Sequence, residues 1–70
     1  MTQYIAVKKE TTEREMFSIA AVDRGEVADC IEDVFPSFER VMPLVRLLQE
    51  NAVPVEHFHD VVEDYILAEQ

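Results

Sequence analysis

The spacing of apolar residues divides the 70-residue chain into two parts with different periods. From Gln3 to about Val34, apolar residues recur at every second position, which is typical of strands. From Pro36 onward they recur at steps of three and four, which is typical of amphipathic helices. The pattern predicts strands at about 3–9, 15–22 and 27–34, and helices at about 37–51 and 54–67.

The first two predicted strands each have two distinguishable faces. In "YIAVKKE", Ile5 and Val7 share one face and Tyr4 lies on the other. The second strand, "EMFSIAAVD", alternates in the same way. Once each strand has contributed one face to a core, Tyr4, Met16 and Val22 remain for the second face of the sheet.

The predicted connections between the strands are short. The polar segment "TTER" suits a hairpin connection, and Gly25, the single glycine, lies where a short hairpin needs a residue with positive φ. The third strand has a mixed pattern, because Val27 and Ile31 share a face with Asp29 and Asp33. We therefore expect it to be an edge strand or to contain a bulge.

The first predicted helix has clear ends and one irregular position. Ser37 is the expected N-cap and Asn51 the expected C-terminal cap. Pro43 would remove one backbone hydrogen bond, so we expect a single helix with a kink there. The alternative is that Pro43 begins the helix and "PSFERVM" forms a separate turn. The expected apolar stripe consists of Phe38, Val41, Val45, Leu48 and Ala52.

The second predicted helix begins with a proline. Pro54 is expected at its first position, where a missing N–H is tolerated. Its dry stripe consists of Val55, Phe58, Val62 and either Tyr65 or Ile66, with Val61 on the flank. Together these elements predict one α+β domain over residues 1–70, in the order ββ(β)αα. A small antiparallel β-meander of two or three strands is followed by two helices packed on one face.

Composition limits the functions that such a domain could have. The chain is 49% apolar and carries a formal charge of −9, from 15 acids and six bases. This composition favours folding and argues against nucleic-acid binding, which needs a basic surface. Cys30 is the only cysteine, so no internal disulfide is available. With no signal peptide and no long apolar run, we expect a soluble, cytoplasmic protein without membrane contact.

The second half of the chain resembles the C-terminal signature of a family of short bacterial proteins of unknown function. Its members show an apolar helix, an Asn near its end, a Pro that opens the next helix, and then a His. Here these positions are Asn51, Pro54 and His57, followed by an Asp-Val-Val-Glu-Asp-aromatic segment at 60–65. The resemblance implies a fold and a bacterial cytoplasmic setting, but no activity.

The segment "VEHFHDVVEDYI" contains the residues that could bind a metal. The candidates are His57, His59, Asp60, Glu63 and Asp64. Pairs at i, i+3 or i, i+4 on a helix could share a divalent ion, but two histidines at i, i+2 point about 200° apart. We expect no metal and no other cofactor. A metal-responsive binding protein that uses this cluster is one alternative.

Catalysis is not expected from this sequence. A nucleophile would have to be Cys30, Ser18, Ser37 or an early threonine, and no local motif pairs any of them with a histidine. We interpret Cys30 as a small, half-buried strand residue. One glycine is also too few for a phosphate-binding loop.

We therefore expect a small acidic interaction or regulatory module without catalysis. More apolar residues are present than one small core can hold, so a contact patch is expected. The candidate partner-binding residues are Met42, Leu44, Leu47, Glu63, Asp64 and Leu67. The partner would be another protein or a second copy of the chain in a homodimer. A further alternative is an acidic mimic of nucleic acid, which needs acids aligned in rows on one surface.

Overall fold

Three antiparallel strands are followed along the chain by two helices. The computed structural model describes residues 2–10 and 14–69. Its elements are β1 (Thr2–Glu10), β2 (Glu15–Asp23), β3 (Glu26–Phe35), α1 (Phe38–Glu50) and α2 (Val55–Glu69). The predicted α+β meander followed by two helices is confirmed. Of the expected "TTER" connection, residues 11–13 lie outside the described residues.

The sheet has the order β1-β2-β3, so β2 is central and the other two strands form its edges. β1 pairs with β2 in an unbroken antiparallel register, whereas the register between β2 and β3 shifts twice. At one shift Asp33 adopts a positive φ of 55°, and its N–H donates to the Ser18 Oγ at 3.3 Å. The prediction of an edge strand or a bulge is confirmed, because β3 is both at an edge and irregular.

A two-residue turn joins β2 to β3. Asp23 pairs with Glu26, and the two residues between them, Arg24 and Gly25, have φ values of 55° and 79°. Two consecutive positive φ angles define the type I′ turn, whose twist matches that of the strands. The sequence predicted a positive φ at Gly25. The second positive φ falls on Arg24, which has a side chain.

Both helices pack on the face of the sheet that carries Tyr4, Phe17 and Ile19. The predicted face of β2 is confirmed, but the prediction for β1 is wrong. Tyr4 is buried, whereas Ile5 and Val7 are 45% and 37% exposed on the opposite face. The register explains this reversal, because Tyr4 pairs with Ala21 of the helix-covered face and Ile5 pairs with Ala20 of the other face.

Tyr4 connects β1 to three other parts of the fold. Its backbone N–H donates to the Gln49 Oε1 of α1 at 2.9 Å, and its hydroxyl donates to the Val53 carbonyl at 2.5 Å. Its ring packs against Phe58 of α2, with the ring centroids 5.1 Å apart. The hydroxyl needs such a partner, because a buried polar group without a hydrogen bond is costly. This one residue therefore contacts both helices and the loop between them.

α1 is one helix that passes through Pro43, as preferred from the sequence. Ser37 is the N-cap, and its side chain accepts the Arg40 N–H at 3.2 Å. The predicted apolar stripe is partly wrong, since Phe38 is 56% exposed, although its ring contacts Phe17. Buried in α1 are Val41, Leu44, Val45 and Leu48.

The C-terminal end of α1 is closed by backbone hydrogen bonds. Asn51 is the C-cap, as predicted. Ala52 follows with a φ of 47° and is exposed, so it is not part of the buried stripe. Its N–H donates to the Gln49 carbonyl at 3.2 Å, and the Val53 N–H donates to the Leu48 carbonyl at 3.1 Å. These two bonds form a Schellman motif, in which the Ala52 position normally favours glycine.

α2 begins one residue later than predicted. The helix starts at Val55, and the carbonyl of the preceding Pro54 accepts the His57 N–H at 2.9 Å. Phe58 and Val62 are fully buried, as the predicted stripe requires. The remaining stripe and flank residues are half-buried against the same core: Val55, Val61, Tyr65 and Ile66.

Replacing Tyr4 with Phe should destabilise the fold without changing the shape of the core. The ring contact with Phe58 is kept, but the Val53 carbonyl loses its buried partner. We expect a loss of about 1–3 kcal/mol in the free energy of unfolding, measured by urea denaturation. Tyr65→Phe is the matched control, and we expect it to cost less. An equal or larger loss at Tyr65 would contradict the role assigned to Tyr4.

Stability should decrease at alkaline pH, and part of the decrease should depend on Tyr4. Burial raises the pKa of Tyr4, with a smaller contribution from the charge of Glu56. Above about pH 10 the unfolded chain therefore loses the tyrosine proton while the folded chain still holds it. This contribution to stability is complete below that pH and is lost as pH rises through the pKa of the folded state.

Thermal melts between about pH 8 and about pH 11 would test this expectation. Tyr4→Phe should lose less stability across that range than the wild type. Some alkaline loss should remain in the variant. Burial also raises the pKa of Tyr65, and the Glu32 hydrogen bond raises the pKa of Lys9. Parallel pH profiles for the two proteins would show that Tyr4 does not contribute.

Replacing Ala52 with Gly should stabilise the fold. A left-handed φ costs a residue with a side chain about 1–2 kcal/mol, and glycine avoids this cost but loses more entropy on folding. We expect a net gain of about 0.5–1 kcal/mol by urea denaturation. Ala68→Gly in α2 is the matched control, and it should be destabilising because its backbone is helical. Destabilisation by Ala52→Gly would contradict the interpretation.

Candidate protein-binding surface

An apolar groove of about 300 Å³ lies between α1 and α2. It is lined by Leu47 of α1 and by Val61, Asp64 and Tyr65 of α2. Leu47 is 37% exposed, and Val61 and Tyr65 are only half-buried. The groove is therefore open to solvent, and the carboxylate of Asp64 is its charged component.

Tyr65 is held at the groove by aromatic contacts. Its ring and the ring of Phe35 form a T-shaped pair with the centroids 6.1 Å apart, and the Arg40 guanidinium carbon lies 4.6 Å from the Phe35 centroid. Burial raises the pKa of Tyr65, and its hydrogen bond with Glu69 raises it further. The phenol therefore stays protonated at neutral pH and offers a rigid aromatic surface with a polar end.

Acids are concentrated on two neighbouring elements, β3 and α2, which we name the acidic side. These elements contain nine of the 15 acids of the chain and neither lysine nor arginine. All are exposed except Asp29, which is half-buried. They are Glu26, Asp29, Glu32 and Asp33 of β3, and Glu56, Asp60, Glu63, Asp64 and Glu69 of α2. This is the most strongly charged part of the described surface.

Three of these acids form a row along α2. Glu56, Asp60 and Glu63 follow one another at steps of four and three residues, so they lie on one solvent-facing side of the helix. Like charges at this spacing destabilise a helix by about 0.2–0.5 kcal/mol per pair. The row is therefore unfavourable for the isolated protein, and cations at this surface would relieve the repulsion.

The two histidines point to opposite flanks of α2. His59 lies towards β3, where its Nε2 is 2.8 Å from the Asp29 Oδ2. His57 is exposed on the flank nearer to the groove. The sequence predicted this separation from the i, i+2 spacing. The His59 contact links the two elements of the acidic side.

The five candidate metal ligands are not brought together in the described part of the chain. Across residues 2–10 and 14–69, no three His, Cys, Asp or Glu side chains are close enough together to hold an ion. Of the five candidates, His59 is engaged with Asp29. The other four are exposed along the helix: His57, Asp60, Glu63 and Asp64. The geometry therefore gives no support to a metal-responsive protein.

The candidate partner-binding residues are in different environments. Leu47 and Leu67 are exposed, Leu67 by 67%, and Glu63 and Asp64 are also on the surface. Met42 is half-buried against the core. Leu44 must be corrected, because it is completely buried. It follows Val41 at a step of three and faces the sheet, so it cannot contact a partner.

The candidate nucleophiles have other positions or roles. Cys30 is exposed, which corrects the expectation that it is half-buried. Its place on an edge strand explains the difference, since only β2 flanks it. Ser18 is buried and accepts the Asp33 N–H, and Ser37 caps α1. Neither serine is placed next to a histidine by a contact within the described structure.

A second cavity, of about 370 Å³, lies where the end of α1 meets the start of β1. It is lined by Thr2, Gln49, Ala52, Val53 and Pro54. The Gln49 amide accepts the Tyr4 N–H and donates to the Thr2 carbonyl at 3.4 Å. Gln49 thereby occupies two backbone groups at the start of the β1 edge. We interpret this cavity as a structural feature and not as a binding site, because the Gln49 amide that lines it is already hydrogen-bonded to β1.

Two residues of the groove, Val61 and Tyr65, were assigned by the sequence pattern only to the stripe or its flank. That assignment is correct, but it does not predict that both side chains stay partly exposed to solvent in the groove. One signal was available in the sequence. Val61 lies beside the apolar stripe of α2, and Leu47 lies outside the apolar stripe of α1. To predict that Val61 and Leu47 line one groove, the relative position of the two helices must be known. The spacing of apolar residues does not provide it.

Comparison with known proteins gives no functional assignment: no family model matches the chain, and no curated protein or solved structure matches it either. The resemblance to the family of short bacterial proteins stays a prediction. Neither α1 nor α2 is long and apolar enough to cross a membrane. The function is therefore inferred from the surface.

Proposed function

We propose that this chain is a small, non-catalytic binding module that captures a basic, amphipathic segment of another protein. The observation that carries the proposal is the combination of an apolar groove with an acidic border. Leu47, Val61 and Tyr65 provide the apolar contact, and Asp64 lies in the same groove. A partner with both leucine-like and lysine-like side chains would match the two parts of this surface.

Electrostatics support a basic partner. The net charge of −9 is concentrated on the acidic side, where a positive segment would be attracted and oriented before contact. The partner would also relieve the repulsion among Glu56, Asp60 and Glu63. Apolar contacts in the groove would then determine the dissociation rate.

Groove residues also meet the requirements of a recognition site. Tyr65 is anchored by Phe35, and aromatic side chains that are held in place lose little entropy on binding. Leu47 and Val61 are on helices rather than on loops, so the two walls are positioned by the core. This arrangement is typical of grooves that accept an amphipathic helix.

The proposal predicts the effect of reversing two charges next to the groove. Glu63→Lys/Asp64→Lys should weaken binding of a labelled amphipathic peptide made of leucine and lysine by roughly tenfold, measured by fluorescence anisotropy. The matched control is Glu39→Lys/Glu50→Lys on α1, which makes the same change in net charge away from the acidic side. We expect the control to bind nearly as well as the wild type.

Loss of folding should not complicate this comparison. The Glu63→Lys/Asp64→Lys variant removes like-charge neighbours from α2, so its melting temperature should be equal or higher. Equal weakening in both variants would show that only net charge matters, and unchanged binding in both would exclude the acidic side. Either result would contradict the proposal.

A mimic of nucleic acid is a second candidate, favoured by the row formed by Glu56, Asp60 and Glu63. Such a protein would bind a basic surface through charge alone. A peptide of equal charge with serine in place of leucine separates the two functions. Equal affinity for both peptides favours the mimic, whereas a clear preference for the leucine peptide favours the groove.

A further inference from the structure

The groove between α1 and α2 contains one acid that has no basic partner. Among the described residues, Asp64 is the only charged one that lines this groove. Its carboxylate forms no ion pair within residues 2–10 and 14–69, unlike Asp29 of the acidic side, which contacts His59. The other lining residues are Leu47, Val61 and Tyr65. The groove therefore combines one unpaired negative group with aliphatic and aromatic surface.

The aromatic part of the groove lies next to an arginine of the protein itself. The rings of Tyr65 and Phe35 form a T-shaped pair, and the Arg40 guanidinium carbon lies 4.6 Å from the Phe35 centroid. This distance is within the range of about 6 Å over which a cation and an aromatic face attract each other. Tyr65 is half-buried and lines the groove, so it is the ring of this pair that a partner reaches.

Charges around Tyr65 favour a cation even though Arg40 is close. Asp64 precedes Tyr65 in α2, and the Tyr65 hydroxyl is hydrogen-bonded to Glu69. Arg40 is the positive group that acts on Tyr65 from the side of α1. Two carboxylates and one guanidinium thus surround this ring, so the local charge is negative and attracts one further cation.

These surroundings distinguish arginine from lysine. A lysine ammonium is a compact, strongly hydrated charge with three donors, and a groove with one carboxylate leaves most of them to water. An arginine guanidinium is planar and weakly hydrated, and it forms two parallel hydrogen bonds with a carboxylate while its face stacks on an aromatic ring. Asp64 and Tyr65 provide a carboxylate and a ring in one groove, and Leu47 and Val61 provide apolar surface for the aliphatic stem.

We propose that an arginine of the partner is its anchor in the groove, where the guanidinium pairs with Asp64 and stacks on Tyr65. This inference rests on the proposed function, which requires a basic amphipathic partner, and it specifies the basic side chain that enters the groove. Lysines of the partner then lie over the acidic side, where exposed carboxylates attract any positive charge. Arginine is also one of the residue types that most often dominate the binding energy of an interface.

Two labelled peptides of equal length and equal charge test this choice. One is the amphipathic peptide made of leucine and lysine, and the other has arginine in place of every lysine. Fluorescence anisotropy gives a dissociation constant for each peptide with the full chain. The ratio of the two constants is the readout, because the attraction between net charges is the same for both peptides. With the wild type, the arginine peptide should bind about tenfold more tightly.

Variants of the groove should change this ratio. Asp64→Asn removes the carboxylate at an exposed position and should reduce the ratio to about two or less. Asp60→Asn is the matched control, since it makes the same charge change on the same helix outside the groove lining. It should weaken both peptides equally and leave the ratio unchanged. Tyr65→Phe keeps the ring and should keep the ratio, whereas Tyr65→Leu should lower it about threefold.

The possible failures can be told apart. Equal affinities of the wild type for the two peptides would overturn the arginine anchor and leave the proposed function standing. A preference that survives in Asp64→Asn, or that falls equally in Asp60→Asn, would also overturn it, because arginine would then be favoured without the groove. If neither peptide binds, the proposed function itself is contradicted, and the arginine anchor with it.

Discussion

A buried hydrogen bond from the Tyr4 hydroxyl to the Val53 carbonyl helps to hold the two layers of this protein together. It joins the first strand to the loop between the helices, 49 residues away. The ring of the same residue packs on Phe58, and its backbone N–H donates to Gln49. Tyr4 of β1 therefore contacts both α1 and α2. Because side chains alternate along a strand, burial of Tyr4 also turns Ile5 and Val7 outward. The exposure of these two aliphatic residues therefore follows from the strand register that places Tyr4 opposite Ala21.

This dependence explains which parts of the fold could be predicted from the sequence. The faces of β2 and α2 follow from strong local patterns, and these predictions are confirmed. β1 has apolar side chains on both faces, and its orientation depends on a contact with a residue 49 positions away, for which there is no local signal. Leu44 was misplaced for a related reason, since α1 has apolar residues around more of its circumference than its stripe contains. The spacing of apolar residues identifies an amphipathic element. When both of its faces are apolar, the contacts that it makes with the rest of the fold decide which face is buried.

The candidate sites show the same limit. The acids of α2 and the opposite directions of its histidines follow from helical spacing. That β3 brings four further acids to the same side depends on the topology, in which β3 is the edge strand linked to α2 through Asp29 and His59. The groove beside this side depends on how α1 and α2 pack. The distribution of charge along each element can therefore be predicted from the sequence. That a charged surface lies next to an apolar groove depends on how the elements pack.

Both edges of the sheet are modified in ways that discourage the addition of another strand. At β1 the Gln49 amide occupies the backbone groups of Thr2 and Tyr4. At β3 two register shifts and the left-handed φ of Asp33 interrupt the ladder, and acidic side chains line the strand. Open-ended association through the edges is thereby hindered, while the face of the sheet opposite the helices stays available. Contacts through a face can close into a two-fold pair, whereas strand addition can continue indefinitely. The structure of the two edges therefore favours contacts through a face over the addition of a strand.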